Sequence, residues 1–325
     1  AGSGAQARTL RLADVNNDGI LDALSLNASA PKALVVWLGN GTGGFSGSTE
    51  IAVGGSYYVY SVAVADVNGD GKMDILSGLF DTNKVAVYLG NGNGTFKTRT
   101  EYSVDAGPRK VKTADINGDG KLDMITPNLS SNTVSVLLGN GDGTFQTRTD
   151  ITVNASGPGD SQIGDVLVAD FNRDGKLDLV SNSVSDGWIS VHLGNGDGTF
   201  KSDIGFAPSN GLNYGFGAGD LNNDGILDLV DSNGSVWSGN GNGTFVDVGE
   251  SFDTGAGGYN LSVGDLNGDG KPDLIFPDFS SSVSVVMIAN SVYQPPVLYP
   301  AGSTTHDTFL ADFNNDGKTD IALQI

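Results

Sequence analysis

A nine-residue phrase, Asp-x-Asn-x-Asp-Gly-x-x-Asp, occurs seven times in this chain and constrains everything around it. The copies run from Asp14 to Asp22, Asp66 to Asp74, Asp115 to Asp123, Asp170 to Asp178, Asp220 to Asp228, Asp265 to Asp273 and Asp312 to Asp320. Each gathers three carboxylates and an amide oxygen into one short loop. Those like charges repel unless a hard dication sits among them, and Ca2+ takes roughly 6–8 oxygens at about 2.3–2.6 Å. The glycine at the sixth place, Gly19 or Gly71 for example, permits the sharp turn such a loop makes around an ion. Calcium is therefore expected as part of the fold, at seven sites.

The charge follows from the loops. The formal net charge is −21, and the loops hold 21 of the 38 acidic residues, leaving 17 acids to set against the 17 bases of the whole chain. An acidic tail is thus excluded, and seven bound dications would bring the chain to about −7, ordinary for a soluble domain. No basic stripe is present to replace phosphate counterions, so nucleic acid is not an expected partner. Cysteine is absent, so no disulfide contributes. Loops of this kind fill at extracellular calcium levels, which places the chain outside the cell, secreted or at the cell surface. No apolar run approaches the roughly 18 residues of a membrane span, and no signal-peptide pattern is seen.

Successive loops start 52, 49, 55, 50, 45 and 47 residues apart. Such a period, with short alternating segments, predicts a β-propeller built as one repeat architecture over residues 1–325. The repeats fall near 1–55, 56–104, 105–156, 157–207, 208–255, 256–300 and 301–325, the last partial. In the second repeat, strands are expected at Ser61 to Asp66, Met73 to Ser77, Lys84 to Leu89 and Thr95 to Thr100. The acidic loop joins the first pair, and Gly90-Asn-Gly-Asn-Gly94 joins the second. Asn-Gly pairs favour tight hairpins because both residues tolerate φ > 0. The same turn recurs from Gly39, Gly139, Gly194 and Gly239, each followed by an aromatic, Phe45, Phe145, Phe200 or Phe245, expected to pack between blades. Because the turn opens no helix, a phosphate-cradling role is not read into its glycines.

With these motifs in hand, the chain resembles the FG-GAP (also called VCBS) repeat family, the calcium-binding propeller repeats of the integrin alpha subunit and of many secreted bacterial and fungal proteins, including some lectins. The resemblance spans nearly the whole chain. It implies side-chain ligands at loop positions one, three, five and nine, and a backbone carbonyl at seven. The first three loops then contribute Asp14, Asn16, Asp18, Ile20 and Asp22; Asp66, Asn68, Asp70, Lys72 and Asp74; and Asp115, Asn117, Asp119, Lys121 and Asp123. The fourth and fifth contribute Asp170, Asn172, Asp174, Lys176 and Asp178, then Asp220, Asn222, Asp224, Ile226 and Asp228. The last two contribute Asp265, Asn267, Asp269, Lys271 and Asp273, then Asp312, Asn314, Asp316, Lys318 and Asp320.

The sixth repeat lacks the Gly-Asn-Gly turn and reads Val285-Val-Met-Ile-Ala-Asn-Ser-Val292, so its outer hairpin must turn by other means. The expected fold is accordingly all-β: a seven-bladed propeller of four-stranded antiparallel blades, six complete and the seventh incomplete. An unfinished blade leaves an open edge, to be completed by a longer protein, by imperfect closure or by a partner chain; donation between copies would make a polymer.

Catalysis finds little support. His192 occupies a third-strand slot filled elsewhere by Trp37, Tyr88, Leu137 and Trp237, and His306 has no partner legible in sequence. Calcium-bound carboxylates are held ionised and make poor general acids. No enzyme is expected. Recognition is expected on the face opposite the acidic loops, where variable connections carry Tyr57, Tyr58, Asn213, Tyr214 and Tyr259 as ligand-binding candidates. The sequons at Asn27, Asn128, Asn154, Asn233 and Asn260 are the glycosylation candidates; those at Asn40, Asn93 and Asn242 sit in the tight turns. The functional expectation is an extracellular, calcium-stabilised binding or adhesion module for a glycan or protein partner. A self-assembling surface or fibre subunit, and an accessory domain of a secreted polysaccharide-acting enzyme, are its alternatives.

Overall fold

The computed structural model describes residues 10–27, 33–53, 59–153, 162–183, 187–208, 215–252, 260–278, 281–289, 291–305, 307–314 and 316–324. They form six propeller-type blades, in each of which neighbouring strands are antiparallel and follow one another in chain order. The first blade comprises Leu10–Ala13, Asp22–Asn27, Ala33–Gly39 and Phe45–Ala52. The second comprises Val62–Ala65, Asp74–Leu79, Lys84–Tyr88 and Thr100–Ser103, and the third Lys112–Ala114, Asp123–Asn128, Thr133–Leu137 and Thr149–Thr152. The fourth has Ile163–Ala169, Asp178–Ser183 and Ile189–His192; the fifth has Phe216–Gly219, Asp228–Asp231, Ser235–Gly239 and Phe245–Ser251. Ser262–Gly264, Asp273–Asp278, Ser282–Val286 and Val297–Pro300 make the sixth.

Two compact units divide the chain. One holds Ala1–Thr152 with Phe313–Asn315, and the other Val153–Asp312 with Asp316–Ile325. The same blade pattern recurs in both. Among the described residues no helix is long and apolar enough to cross a membrane.

The second strands of the second to sixth blades are buried along their length because each is paired on both sides, as in Asp74–Leu79, where Leu76 sits opposite Ala63 on one side and Val87 on the other. Apolar pairs such as Ile75 and Leu76 follow the opening Asp of each strand, and buried polar residues such as Ser77 and Thr126 stand further along. Packing between blades is built from the third strands and the turn aromatics. Met124, Leu137 and Phe145 of the third blade close against Val85, Val87 and Val104 around the second. Trp237 and Phe245 of the fifth close against Val180, Ile189 and Val191 of the fourth.

Three details differ from the sequence reading. The fourth strand of the second blade begins at Thr100 rather than Thr95; Phe96 is held earlier by a single bridge to Gly90. In the fourth blade, the Asp203 carboxylate accepts the Val191 amide at 3.0 Å and the Gly205 amide at 2.7 Å. That acid occupies a ladder position, so among the described residues the outer segment attaches through isolated contacts, the Ile189–Phe206 and Gly194–Phe200 bridges and the Ile204 and Lys201 amides on the Val191 and Leu193 carbonyls, and not through a continuous ladder. The third difference concerns the blade count. Among the described residues there are six blades and not an incomplete seventh: Asp307–Ala311 and Asp320–Gln324 form a two-stranded hairpin in which, among those residues, each strand pairs only with the other. Its Leu310, Ile321 and Leu323 pack on Ile275, Val283 and Val285 of the sixth blade, burying the apolar side of a pair too small to stand alone. The altered outer hairpin of the sixth blade is carried by the short pair Ile288–Ala289 and Val292–Tyr293.

Candidate functional site

All seven acidic loops share one hydrogen-bonded frame. In the first, Asp14 accepts the Asp18 amide on Oδ1 at 3.1 Å and the Gly19 amide on Oδ2 at 2.8 Å. Asn16 Oδ1 accepts the same Asp18 amide at 2.9 Å, and Asp18 Oδ1 accepts the Ile20 amide at 2.8 Å. The pattern repeats at Asp66, Asp115, Asp170, Asp220, Asp265 and Asp312, each of which takes the amide of the sixth-place glycine on Oδ2. Gly19 and Gly71 have φ of 82° and 78°, a conformation that side-chain-bearing residues resist. The side chains thus orient themselves on their own loop before any ligand is considered.

The acid at position nine behaves differently. Asp22, Asp74, Asp123, Asp178, Asp228 and Asp273 are all buried. Asp22 Oδ2 accepts the Val15 amide at 2.9 Å, and its Oδ1 accepts the Gly39 amide at 2.8 Å, tying the acidic loop to the Gly-Asn-Gly turn. Gly90, Gly139, Gly194 and Gly239 play the part of Gly39 in the next four blades, and Ile288 does so in the sixth. Both kinds of loop therefore lie at the same end of each blade, as expected. Sequence reasoning missed this bridging role, although the glycine before each Asn was its signal: a Cβ at Gly39 would lie 2.2 Å from the Leu21 carbonyl oxygen. Burial lifts the Asp22 carboxyl above its ordinary value; the Gly39 and Val15 amides oppose that shift, and Asp18 and Asp14 add to it. Asp74, Asp123 and Asp178 are raised for the same reasons.

The donors are hard oxygens: carboxylates, an amide carbonyl and a backbone carbonyl in each nine-residue loop. Their chemistry fits a calcium ion, and each loop carries three like charges that repel one another. Lys72 and Lys121 approach Asp70 and Asp119 only loosely, at 3.4 Å in each case. Among the described residues no group of three or more acidic or imidazole side chains is placed to hold a metal ion by itself.

The candidate ligand residues Tyr57, Tyr58, Asn213, Tyr214 and Tyr259 lie outside the described residues, as do His306 and Asn154. His192 is buried in its strand beside Leu179, in keeping with a packing role. Asn128 is also buried, with its amide on the hydroxyls of Thr133 and Ser135, so the folded chain cannot carry a glycan there. The sequon asparagine Asn233 is exposed and Asn260 is partly so, while Asn27 ends the second strand of its blade. Asn40, Asn93 and Asn242, in the turns, are exposed, and each accepts the hydroxyl of its sequon threonine.

A four-stranded antiparallel blade repeated with an acidic loop between its first two strands defines a class of propeller repeat. The FG-GAP-like repeat description matches residues 3–77, 78–126, 115–181, 170–230 and 231–276, and the chain belongs to that family. No curated protein matches the chain in sequence. Among solved structures it is similar to an Agrocybe aegerita lectin described for its specific recognition of non-reducing terminal N-acetylglucosamine. That likeness has a TM-score of 0.62 and 22% identity, over 97% of this chain and 84% of the lectin. BBS1N, solved in complex with ARL6DN, is similar at a TM-score of 0.66 and 10% identity, over 98% of this chain and 90% of that one. A virginiamycin B lyase from Staphylococcus aureus is similar at 0.63 and 13% identity, over 98% and 91%. At these identities the shared property is the fold.

Proposed function

We propose that this chain is an extracellular, calcium-stabilised binding module whose ligands are glycans. The observation that carries the reading is the pre-set frame of the acidic loops, in which the first Asp is aimed by two backbone amides and one nine-residue loop holds three carboxylates and an Asn amide. Calcium would be held by Asp14, Asn16, Asp18, the Ile20 carbonyl and Asp22, and by their equivalents in the other six loops. It would supply charge compensation and rigidity to the blade ends. Extracellular calcium is abundant enough to fill such loops, which supports a secreted or surface location.

The glycan assignment is supported by a rigid scaffold with recognition residues free to vary around it, and by the likeness in fold to a lectin. We assign the chain binding rather than catalysis; the lyase likeness stands at 13% identity and concerns the fold. The test is a glycan array probed in millimolar calcium and again in EGTA. Binding of a defined glycan class, lost on chelation, is expected. Absence of binding to every glycan in calcium overturns the glycan assignment.

One observation favours a second reading, completion of a further blade by strands from another chain: Asp320–Gln324 pairs along one edge only among the described residues. Light scattering behind size exclusion tests it, since a monomer at high concentration in calcium eliminates donation between copies.

A further inference from the structure

In the first five blades the seventh residue of the acidic loop lies over the second glycine of the Gly-Asn-Gly turn. In the second, third and fourth it is a lysine: a Cβ on Gly92 or Gly141 would meet Lys72 or Lys121 Cδ at 2.9 Å, and one on Gly196 would meet Lys176 Cδ at 3.1 Å. The sixth and seventh loops have Lys271 and Lys318 at that place, whereas the first and fifth have Ile20 and Ile226. Over Gly41, Ile20 stands alone among the described residues, at 3.4 Å. Over Gly241, Ile226 at 3.3 Å is joined at 3.7 Å by the Cδ of Arg173, the fourth residue of the fourth loop. We propose that Arg173 is the cation of the fifth loop, supplied by its neighbour, and that it holds calcium affinity there down to the level of the lysine-bearing loops, leaving the first loop the tightest of the seven. The inference rests on the calcium reading above and adds to it an order among the sites.

The head of Arg173 reaches the fifth loop itself. A Cβ on Gly225, the sixth residue of that loop, would lie 3.9 Å from Arg173 Nη2. Gly225 is the residue whose amide Asp220 accepts at 2.9 Å, so the guanidinium stands at the edge of the ligand frame. Arg173, Gly225 and Gly241 all belong to the second compact unit. The first two loops make the same reach, because Asn17, also a fourth residue, donates through Nδ2 to the Gly71 carbonyl at 3.3 Å. The backbone also sets Arg173 apart. Its φ is 62°, and other loops meet that left-handed requirement with Asn17, Asn223, Gly69, Gly118 or Gly268, residues that adopt it more readily than arginine. Such an outlier is a pointer to a functional constraint.

The charge acts in two directions. In an empty loop it offsets the repulsion among Asp220, Asp224 and Asp228; with a dication bound it repels the ion. Both effects lower affinity. Lys72 and Lys121 act in the same way from within their own loops, 3.4 Å from Asp70 and Asp119. Ile20 gives Asp14, Asp18 and Asp22 no such offset. Across solvent, one charge acting on a dication changes affinity roughly three- to tenfold at low salt, and screening removes most of that.

Proton–nitrogen correlation NMR on the full chain tests the order, following the amides of the sixth-place glycines Gly19, Gly71 and Gly225 while graded chelator buffers lower the calcium. At about 20 mM salt the Gly19 signal is expected to change at the lowest calcium, and those of Gly71 and Gly225 at roughly three- to tenfold higher concentrations. Arg173→Gln should bring Gly225 down to the Gly19 value, Arg173→Lys should leave it in place, and Ile20→Lys should raise Gly19. At about 500 mM salt the spread should shrink below about twofold, which a purely packing role for Arg173 would not produce. The wild-type spread and its salt dependence decide even where a variant misfolds. Equal midpoints at Gly19 and Gly225, or one joint transition of all three glycines, overturn the inference and leave the calcium reading standing. No calcium dependence at any of the three overturns both.

Discussion

Asp22 and Gly39, seventeen residues apart, are joined by a 2.8 Å hydrogen bond from the glycine amide to the buried carboxylate. The same bond, repeated in the next four blades, fastens the acidic loop to the turn that closes the outer hairpin. It makes the ninth acid of each loop a structural brace as well as a candidate metal ligand.

Removing a brace leaves two amides without partners. Asp74→Ala would strand the Val67 and Gly90 amides, and each buried unmet donor costs about 1–3 kcal/mol. A loss of roughly 2–5 kcal/mol in urea unfolding is expected. Gly90→Ala should be comparably damaging, since its Cβ would meet the Met73 carbonyl oxygen at 2.2 Å. Gly71→Ala, with open space around it, should cost only the left-handed strain of about 1 kcal/mol. Equal effects at the two glycines would contradict the close-approach argument.

Calcium removal is the second test. At calcium concentrations ten to a hundred times Kd, each occupied loop would add roughly 1.4–2.7 kcal/mol to the stability of the blade that holds it. Scanning calorimetry in calcium and then EGTA should show a large fall in Tm. An unchanged Tm would sink the calcium proposal.

Aromatic residues at equivalent places should differ in worth. Phe145 is buried against Tyr102, whereas Phe45 is 55% exposed beside Trp37, itself 41% exposed. Phe145→Ala should destabilise by about 3–5 kcal/mol. Phe45→Ala should stay below about 1 kcal/mol, and denaturant midpoints of the two variants decide the matter.

Asp231 provides a pH test. Burial pushes its carboxyl up to about 6, against the bonds it accepts from the Ser235 and Asn233 amides. With the folded value above the unfolded one, the folded state holds the proton more tightly. The group's contribution is therefore full below about pH 4 and is lost as pH rises through about 6. Asp231→Asn keeps an acceptor for those amides and cannot ionise. Relative to that variant, the wild type should lose up to about 3 kcal/mol between pH 4 and 7.5 at fixed calcium. A pH-independent difference would place the carboxyl in its ordinary range.

Much of this architecture was legible in the chain. The acidic loops and Gly-Asn-Gly turns are local structures: Asp14 finds its amides within five residues, and Thr95 finds Asn93 two residues away, so the spacing of residue types specifies them. Strand boundaries were harder to place. Phe96 was expected within a strand, yet the ladder of the second blade resumes only at Thr100, because pairing depends on the third strand as well as on local preference. The fourth blade shows the same limit. Its outer segment resembles that of the third, but Asp203 stands where the third has Arg148, and one carboxylate accepting the Val191 amide replaces the ladder.

The sequence by itself determined the repeated blade, the acidic corners and the aromatic after each turn, because each is set by interactions spanning a few residues. Only the tertiary structure decided that Phe145 is core while Phe45 is exposed, that Asn128 is sealed while Asn93 is open, and that Asp22 braces a turn seventeen residues away. Those outcomes depend on which strand or blade comes to lie against a given side chain. Burial of that kind is a property of the packed sheets, and identical local sequence does not encode it.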